Sequence, residues 1–234
     1  MSKIGNTIIK PKNGVIHWHY DESRQTADVE KFKVIVEMTK AFQYWAQVLN
    51  PIKFESVPNK EDAEIILGFY MPDDPALPAS FGTDTIAFNF PPMKGMKHSS
   101  DMFINDAMKF TDIHKEGEFT LVYMLTHELG HAIGLSHSEN KKCIMTDTYV
   151  PGAEVFISEE TNRFARRIYA EEIAKLAVAS SDAEEFLRLW IGTKANINLV
   201  NVHLLRKMAT MLGIPAQTSN NKLINLVAEK LQLK

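Results

Sequence analysis

Cysteine is almost absent from this sequence: Cys143 is the only one among 234 residues, so no intrachain disulfide can form. Long apolar runs are also missing, and a membrane span needs roughly 18–20 such residues. Segment 1–14, MSKIGNTIIKPKNG, lacks the apolar core and small-residue cleavage site of a secretory signal. We therefore expect no membrane span, and a protein that either stays in the cytoplasm or is released by a non-classical route.

Neither sign of charge dominates the whole chain. The formal net charge is −3, and 45% of the residues are hydrophobic, which suffices for a packed core. However, residues 190–234 carry 6 basic and 1 acidic side chains, whereas residues 1–189 carry 20 and 28. This asymmetry predicts separate modules, which we place at residues 1–175 and 198–234, joined by a helical linker at 176–197.

Hydrophobic periodicity predicts both strands and helices in the larger module. Short apolar runs predict strands at 15–20, 52–57, 63–70, 85–90 and 102–105. Helical spacing predicts three helices, at 29–49, 119–134 and 159–179, the last beginning after Ser158. The apolar stripe predicted for the first helix comprises Phe32, Ile35, Val36, Thr39, Phe42, Trp45, Ala46 and Leu49.

The stretch HELGHAIGLSH, residues 127–137, has the spacing of a metal site. His127 and His131 are four residues apart, so both imidazoles point from one face of a helix. Gly134 can adopt the left-handed turn that ends the helix, after which the chain doubles back to bring His137 to the same point. Three nitrogen ligands with one open position are what a catalytic zinc ion requires.

Glu128 lies beside these ligands without being needed as one. Zinc would lower the pKa of a bound water, and Glu128 would take the water's proton and return it to the leaving amine. One alternative is a structural helix that matches by chance, which we expect on the order of once in tens of thousands of such chains. Another is a zinc-binding scaffold without turnover.

The pattern HExxHxxGxxH followed by Cys143-Ile144-Met145 resembles the metzincin zinc endopeptidases. Ser138, directly after the third histidine, resembles their matrixin branch, the matrix metalloproteinase catalytic domains. The likeness covers roughly residues 10–172: VIHWHY and the helix ending AFQYWAQV resemble the first strand and helix, and ISEETNRFARRIYA resembles the last helix. It implies an α+β fold with a twisted, mostly parallel sheet and three helices, and hydrolysis of peptide bonds.

The resemblance also implies roles for individual residues. Met145 would form an apolar floor beneath the zinc, and Tyr149 would line the wall of the S1′ pocket. The edge strand with Ile86, Ala87 and Phe88 would bind an extended peptide by β-augmentation. The implied substrate is therefore a protein or peptide in extended form.

The sequence departs from the matrixin pattern around a second metal site. Matrixins usually hold a structural zinc with three histidines and an aspartate, but Phe88 and Phe103 stand at two of the histidine positions. Asn105 and Met108 stand at carboxylate positions of a nearby calcium site. We predict one catalytic zinc, doubt the structural zinc and calcium sites, and expect Phe88 and Phe103 to pack together. We also expect no inhibitory prodomain, since Cys143 cannot supply its zinc-blocking cysteine.

Residues 198–232 predict a helix, a break at Gly213 and Pro215, and a second helix that starts at 219–221. This segment resembles the SAP motif, a small helix-loop-helix associated with DNA binding. The basic side chains that would contact DNA phosphates are Arg206, Lys207, Lys222 and Lys230. The alternative is a helical domain that binds protein or caps the enzyme.

The combined pattern favours a zinc-dependent endopeptidase. Two other hypotheses stay open: a DNA-associated protease directed by the SAP-like tail, and a catalytically silent zinc-binding scaffold. The natural substrate does not follow from the sequence, because the depth of the S1′ pocket depends on how residues 150–157 fold.

Overall fold

The structure is a computed structural model that describes residues 7–96, 98, 100–113, 119–149, 152–179, 206, 219, 222–223 and 225–226. The chain separates into two compact units, residues 1–165 and 166–234. The module boundaries placed at 175 and 198 stay predictions. No helix within the described ranges has the length and apolar content that crossing a bilayer requires.

A five-stranded sheet forms the base of the first unit. Its strands are β1 (Val15–Tyr20), β2 (Lys53–Ser56), β3 (Ile65–Tyr70), β4 (Ala87–Asn89) and β5 (Met102–Asn105). The spatial order is β2-β1-β3-β5-β4, and every pairing is parallel except the antiparallel pair of β4 and β5. The mostly parallel sheet is therefore confirmed, and β4 lies at one edge of it.

The described residues form four α-helices: α1 (Lys31–Leu49), α2 (Leu121–Ala132), α3 (Glu159–Ile168) and α4 (Ala170–Ala179). Two short parallel strands, β6 (Phe110–Thr111) and β7 (Phe119–Thr120), precede α2. The single helix predicted over 159–179 is wrong, because Tyr169 leaves the helical pattern and separates α3 from α4. The predicted start is confirmed, since the N–H of Thr161 donates to the Oγ of Ser158 at 3.2 Å.

The buried face of α1 differs from the predicted stripe. Phe42, Trp45 and Leu49 are buried as predicted, but Phe32 is 74% exposed. Successive helical residues turn by about 100°, which places Phe32 about 140° around the helix from Trp45 and therefore away from the core. The other buried side chains of this helix are Val34, Glu37, Met38, Ala41 and Val48.

Two contacts hold α1 between the sheet and α2. Trp18 of β1 stacks on Phe42 with the ring centroids 4.5 Å apart. On the other side, the indole N–H of Trp45 donates to the backbone carbonyl of Thr126 at 2.8 Å. Thr126 directly precedes His127, so α1 supports the part of α2 that carries the first histidine.

The observed orientation of α1 can be tested by measuring the stability of two variants. We expect Met38→Ala to lower the free energy of unfolding by about 2–5 kcal/mol, because the Met38 side chain is fully buried. Phe32→Ala should change it by less than about 0.5 kcal/mol, since the ring is mostly in solvent. Urea denaturation followed by tryptophan fluorescence, at a fixed zinc concentration, measures both. An equal loss in the two variants would contradict the observed helix orientation.

Candidate metal centre and active site

The end of α2 turns the chain back on itself. Gly134 has a φ of 100°, a left-handed conformation that side chains other than glycine rarely adopt. The N–H of Gly134 donates to the carbonyl of His131 at 2.8 Å, and the N–H of Leu135 donates to the carbonyl of Gly130 at 2.9 Å. These two bonds form a Schellman motif, which confirms the predicted helix-ending role of Gly134.

This turn brings three imidazoles to one point. The Nε2 of His131 lies 3.1 Å from the Nε2 of His127 and 3.2 Å from the Nε2 of His137. The ligating atoms of all three residues lie within 4.8 Å of one another, and among the described residues they form the only such group of three or more histidines, cysteines and acidic residues. The predicted ligand set is therefore assembled in space.

Backbone carbonyls fix the protonation of two of the rings. The Nδ1 of His127 lies 2.6 Å from the carbonyl oxygen of Ile144, and the Nδ1 of His131 lies 2.8 Å from that of Leu135. A carbonyl oxygen only accepts, so each Nδ1 must carry the hydrogen. In a neutral ring the Nε2 then presents a lone pair, as a metal ligand must.

Burial keeps these rings neutral. It lowers the pKa of His127, and together with the nearby His127 it lowers the pKa of His131 to about 4. Two lone pairs then face each other across 3.1 Å, an arrangement that a cation between them would stabilise. Tetrahedral zinc with bonds of about 2.0–2.1 Å requires nitrogens about 3.3 Å apart, so the donor set fits zinc.

The turn formed by residues 143–146 carries Met145 and holds the backbone next to the third histidine of the group. Met145 is fully buried, and its carbonyl accepts a hydrogen bond from the N–H of Ser138 at 2.7 Å, directly after His137. The N–H of Ile144 donates to the carbonyl of Phe156 at 2.7 Å. One short turn therefore orients the first histidine of the group through the Ile144 carbonyl and the last histidine through Ser138.

Gly130, inside the histidine motif, is a site residue that the sequence analysis missed. A Cβ at this position would lie 2.2 Å from the Sδ of Met145 and 3.0 Å from the Cζ2 of Trp45. Only glycine lets the methionine approach the helix this closely. A glycine in a helix interior signals such an approach, because it costs about 1 kcal/mol relative to alanine.

Glu128 lies in the same turn of α2 and is only 9% exposed. Burial raises the pKa of its carboxyl to about 7. A divalent cation at the three imidazoles would favour the ionised form and lower this pKa. The backbone carbonyl of Glu128 accepts a hydrogen bond from the side-chain amide of Asn89, a second contact that the sequence analysis missed.

Tyr149 packs against the beginning of α2. Its hydroxyl accepts a hydrogen bond from the N–H of Thr120 at 3.0 Å. Its ring centroid lies 4.8 Å from that of Phe119 and 5.1 Å from that of Tyr123. The tyrosine is therefore fixed in orientation, and its role in a substrate pocket stays a prediction.

Of the predicted peptide-binding residues, Ala87 and Phe88 lie on the edge strand β4, and Ile86 directly precedes it. The carbonyl of Ile86 accepts a hydrogen bond from the N–H of Asn105 at 2.9 Å, and Phe88 pairs with Phe103 in the antiparallel ladder. Ala87 lies opposite Ile104, which is fully buried. Substrate binding by Ile86, Ala87 and Phe88 stays a prediction, but the strand is at the edge where β-augmentation needs it.

The predicted packing of Phe88 on Phe103 is confirmed. The two rings stack with centroids 5.1 Å apart and extend into an aromatic cluster with Tyr70, Phe81 and Phe90. The rings of Phe88 and Phe103 carry no metal-ligating atoms, so these two positions do not fit a structural zinc. The amide of Asn105 donates to the carbonyl of Thr85 at 2.8 Å. The number of bound ions stays a prediction.

Most of the SAP-like segment lies outside the described residues. Arg206 and Lys222 are exposed, and the N–H of Leu223 donates to the carbonyl of Ser219 at 2.8 Å, where the second helix was predicted to start. Lys207 and Lys230 are among the residues that are not described. DNA binding by this tail stays a prediction.

Comparison with known proteins places most of the chain in one family profile, described as Matrixin, which matches residues 11–170. The chain is 28% identical to interstitial collagenase B of Mus musculus over 149 residues, 63% of this chain and 31% of that protein. It is 31% identical to metalloendoproteinase 1-MMP of Arabidopsis thaliana over 116 residues, 48% of this chain and 31% of that protein. It is 34% identical to macrophage metalloelastase of Rattus norvegicus over 125 residues, 53% of this chain and 26% of that protein. The chain thus spans about a third or less of the length of each of these relatives.

The contact between Gly130 and Met145 predicts an unusual result for a glycine-to-alanine change in a helix. Gly130→Ala should gain up to about 1 kcal/mol of helix propensity, yet lower the free energy of unfolding by about 1–3 kcal/mol because the methyl group meets the Met145 sulfur. Denaturant unfolding of Gly130→Ala, Met145→Ala and the double variant measures the coupling. We expect the double variant to lose less than the sum of the single losses. Strict additivity would show that the two residues do not compete for this space.

Proposed function

The chain belongs to the matrixin family, and we propose that it is a zinc-dependent endopeptidase that hydrolyses peptide bonds of extended protein substrates. The observation that carries the proposal is the convergence of three imidazole Nε2 atoms, with His131 3.1 Å from His127 and 3.2 Å from His137. Two relatives are named collagenase and metalloendoproteinase, which supports the class of reaction.

His127, His131 and His137 would hold the zinc through Nε2. A zinc ion bound there lowers the pKa of a water and polarises a peptide carbonyl. The protein contributes the geometry, since the carbonyls of Ile144 and Leu135 keep two rings in the required tautomer.

Glu128 acts as the general base in this proposal. Its carboxylate accepts the proton of the attacking water and then donates it to the leaving amine nitrogen, so no covalent enzyme intermediate is required. Its low exposure supports this role, because the carboxyl group then acts inside the site rather than in bulk solvent. Its position directly after His127 keeps it beside the ligands.

An extended substrate would pair with the open edge of β4. In an antiparallel ladder, successive residues direct their backbone groups alternately toward and away from the partner strand. The Ile86 carbonyl points to β5, where it accepts the N–H of Asn105. The backbone groups of Ala87 therefore face the open edge, where a peptide can hydrogen-bond to them.

The choice of substrate would depend on the pocket beside Tyr149. The relatives include one named a collagenase and one named an elastase, so family membership alone does not specify the substrate. The ring of Tyr149 is held by Phe119 and Tyr123 and would form a rigid wall against one substrate side chain.

Replacing the base tests the mechanism. We expect Glu128→Gln to reduce hydrolysis of a fluorescence-quenched peptide library by about 10²–10⁴-fold, because no group then takes the proton. Glu37→Gln is the matched control: Glu37 is a buried glutamate of α1 paired with Lys40 at 2.6 Å, and its loss should leave the rate nearly unchanged. Undiminished cleavage by Glu128→Gln would remove Glu128 as the base.

Removing the metal tests the cofactor. Treatment with a chelator should abolish hydrolysis, and stoichiometric zinc should restore it. Elemental analysis should give one zinc per chain, which His137→Ala lowers because only two ligands remain. One bound zinc without any chelator-sensitive hydrolysis would favour the silent scaffold instead.

A further inference from the structure

The proposed zinc site does not account for one polar side chain at the edge of the sheet, that of Asn89. Asn89 is the last residue of β4, within the otherwise largely apolar run TIAFNF. Its side-chain Nδ2 donates to the backbone carbonyl oxygen of Glu128 at 2.5 Å. The bond joins residues 39 positions apart, so it links two separate elements, the edge strand and α2.

The backbone carbonyl oxygen of Glu128 can accept two hydrogen bonds. Within α2, the carbonyl of Glu128 is in position to accept the N–H of Ala132, four residues later. A carbonyl oxygen has two lone pairs, and the amide of Asn89 uses the other. The strand is therefore attached to the helix at the residue proposed as the base, directly after the ligand His127.

The main chain of Asn89 faces the substrate side. Ile86 and Phe88 direct their backbone groups toward β5, as the hydrogen bond from Asn105 to Ile86 and the pairing of Phe88 with Phe103 indicate. By alternation, the N–H and C=O of Asn89 face the open edge. One residue therefore offers its backbone to a docked peptide and its side chain to the helix of the active site.

We propose that Asn89 is a positioning residue that fixes a peptide docked on β4 at the correct distance from Glu128 and the three histidines. This inference rests on the proposed endopeptidase function. The side chain touches no reacting atom and acts through the position of the strand. Displacement of a reacting group by about 1 Å can reduce a rate by about 10²-fold, so one bond that holds the strand is significant.

The chain offers a matched control for removing this bond. Asn105 also donates its side-chain amide to a backbone carbonyl, that of Thr85 at 2.8 Å, and so holds the beginning of β4 to β5 without reaching α2. Asn89→Ala removes the bond from β4 to α2, whereas Asn105→Ala removes the bond to Thr85 and the bond that the Oδ1 of Asn105 accepts from the N–H of Ala107. Asn89→Asp keeps the side-chain size but replaces the donor with an oxygen.

The experiment measures kcat and KM separately, on a quenched peptide that the wild-type enzyme cleaves. We expect Asn89→Ala and Asn89→Asp to lower kcat at least about tenfold while KM changes less than about threefold, because backbone pairing along β4 is retained. Asn105→Ala should lower the melting temperature but leave kcat within about twofold at a temperature where all variants are folded. Wild-type kcat in both Asn89 variants, or an equal loss of kcat in Asn105→Ala, overturns the proposal.

Two further measurements separate this inference from the function on which it rests. Zinc content, and inhibition by acetohydroxamate, which is too small to reach β4, should be the same in the Asn89 variants and the wild type. A loss of either would show damage to the metal site and would overturn the positioning role. A wild-type enzyme without chelator-sensitive hydrolysis would instead overturn the endopeptidase proposal.

Discussion

The site depends on the close contact between α2 and the turn that carries Met145. The carbonyl of Ile144 in that turn holds the Nδ1 of His127, while Met145 occupies the space that a side chain at position 130 would fill. Neutral imidazoles with lone pairs facing one point repel each other, so their orientation must be imposed by such neighbours. A bound cation would relieve that repulsion and would therefore couple metal binding to the stability of the fold.

A second link joins the candidate metal centre to the sheet. The apolar face of β5 packs toward the helices through Met102 and Ile104, and its other face carries the stack of Phe103 on Phe88. That stack puts aromatic packing at two positions where the matrixin pattern has histidines. The edge strand thus has its own support on one face and a hydrogen bond to α2 on the other.

Sequence periodicity predicted where the helices and strands lie more accurately than it predicted which face of a helix is buried. The strands and the first two helices lie where apolar spacing placed them, within a few residues, because each must bury one face. The stripe on α1 included the exposed Phe32 and omitted the buried Met38. The predicted stripe and the observed buried face both satisfy a spacing of three or four residues. Only the position of α2 and the sheet decides which of the two faces is buried. The break at Tyr169 had no signal in the sequence.

The sequence by itself determined which groups form the candidate site: the imidazoles of His127, His131 and His137, the carboxyl group of Glu128 beside them and Gly134 at the turn. These follow from positions within eleven residues, over which helix geometry is regular. The tertiary structure alone decided that the three Nε2 atoms converge, why position 130 must be glycine, and that Asn89 reaches Glu128. These depend mainly on contacts between residues 15 or more positions apart, such as His127 with Ile144, Gly130 with Met145 and Asn89 with Glu128, and local periodicity carries no information about such contacts.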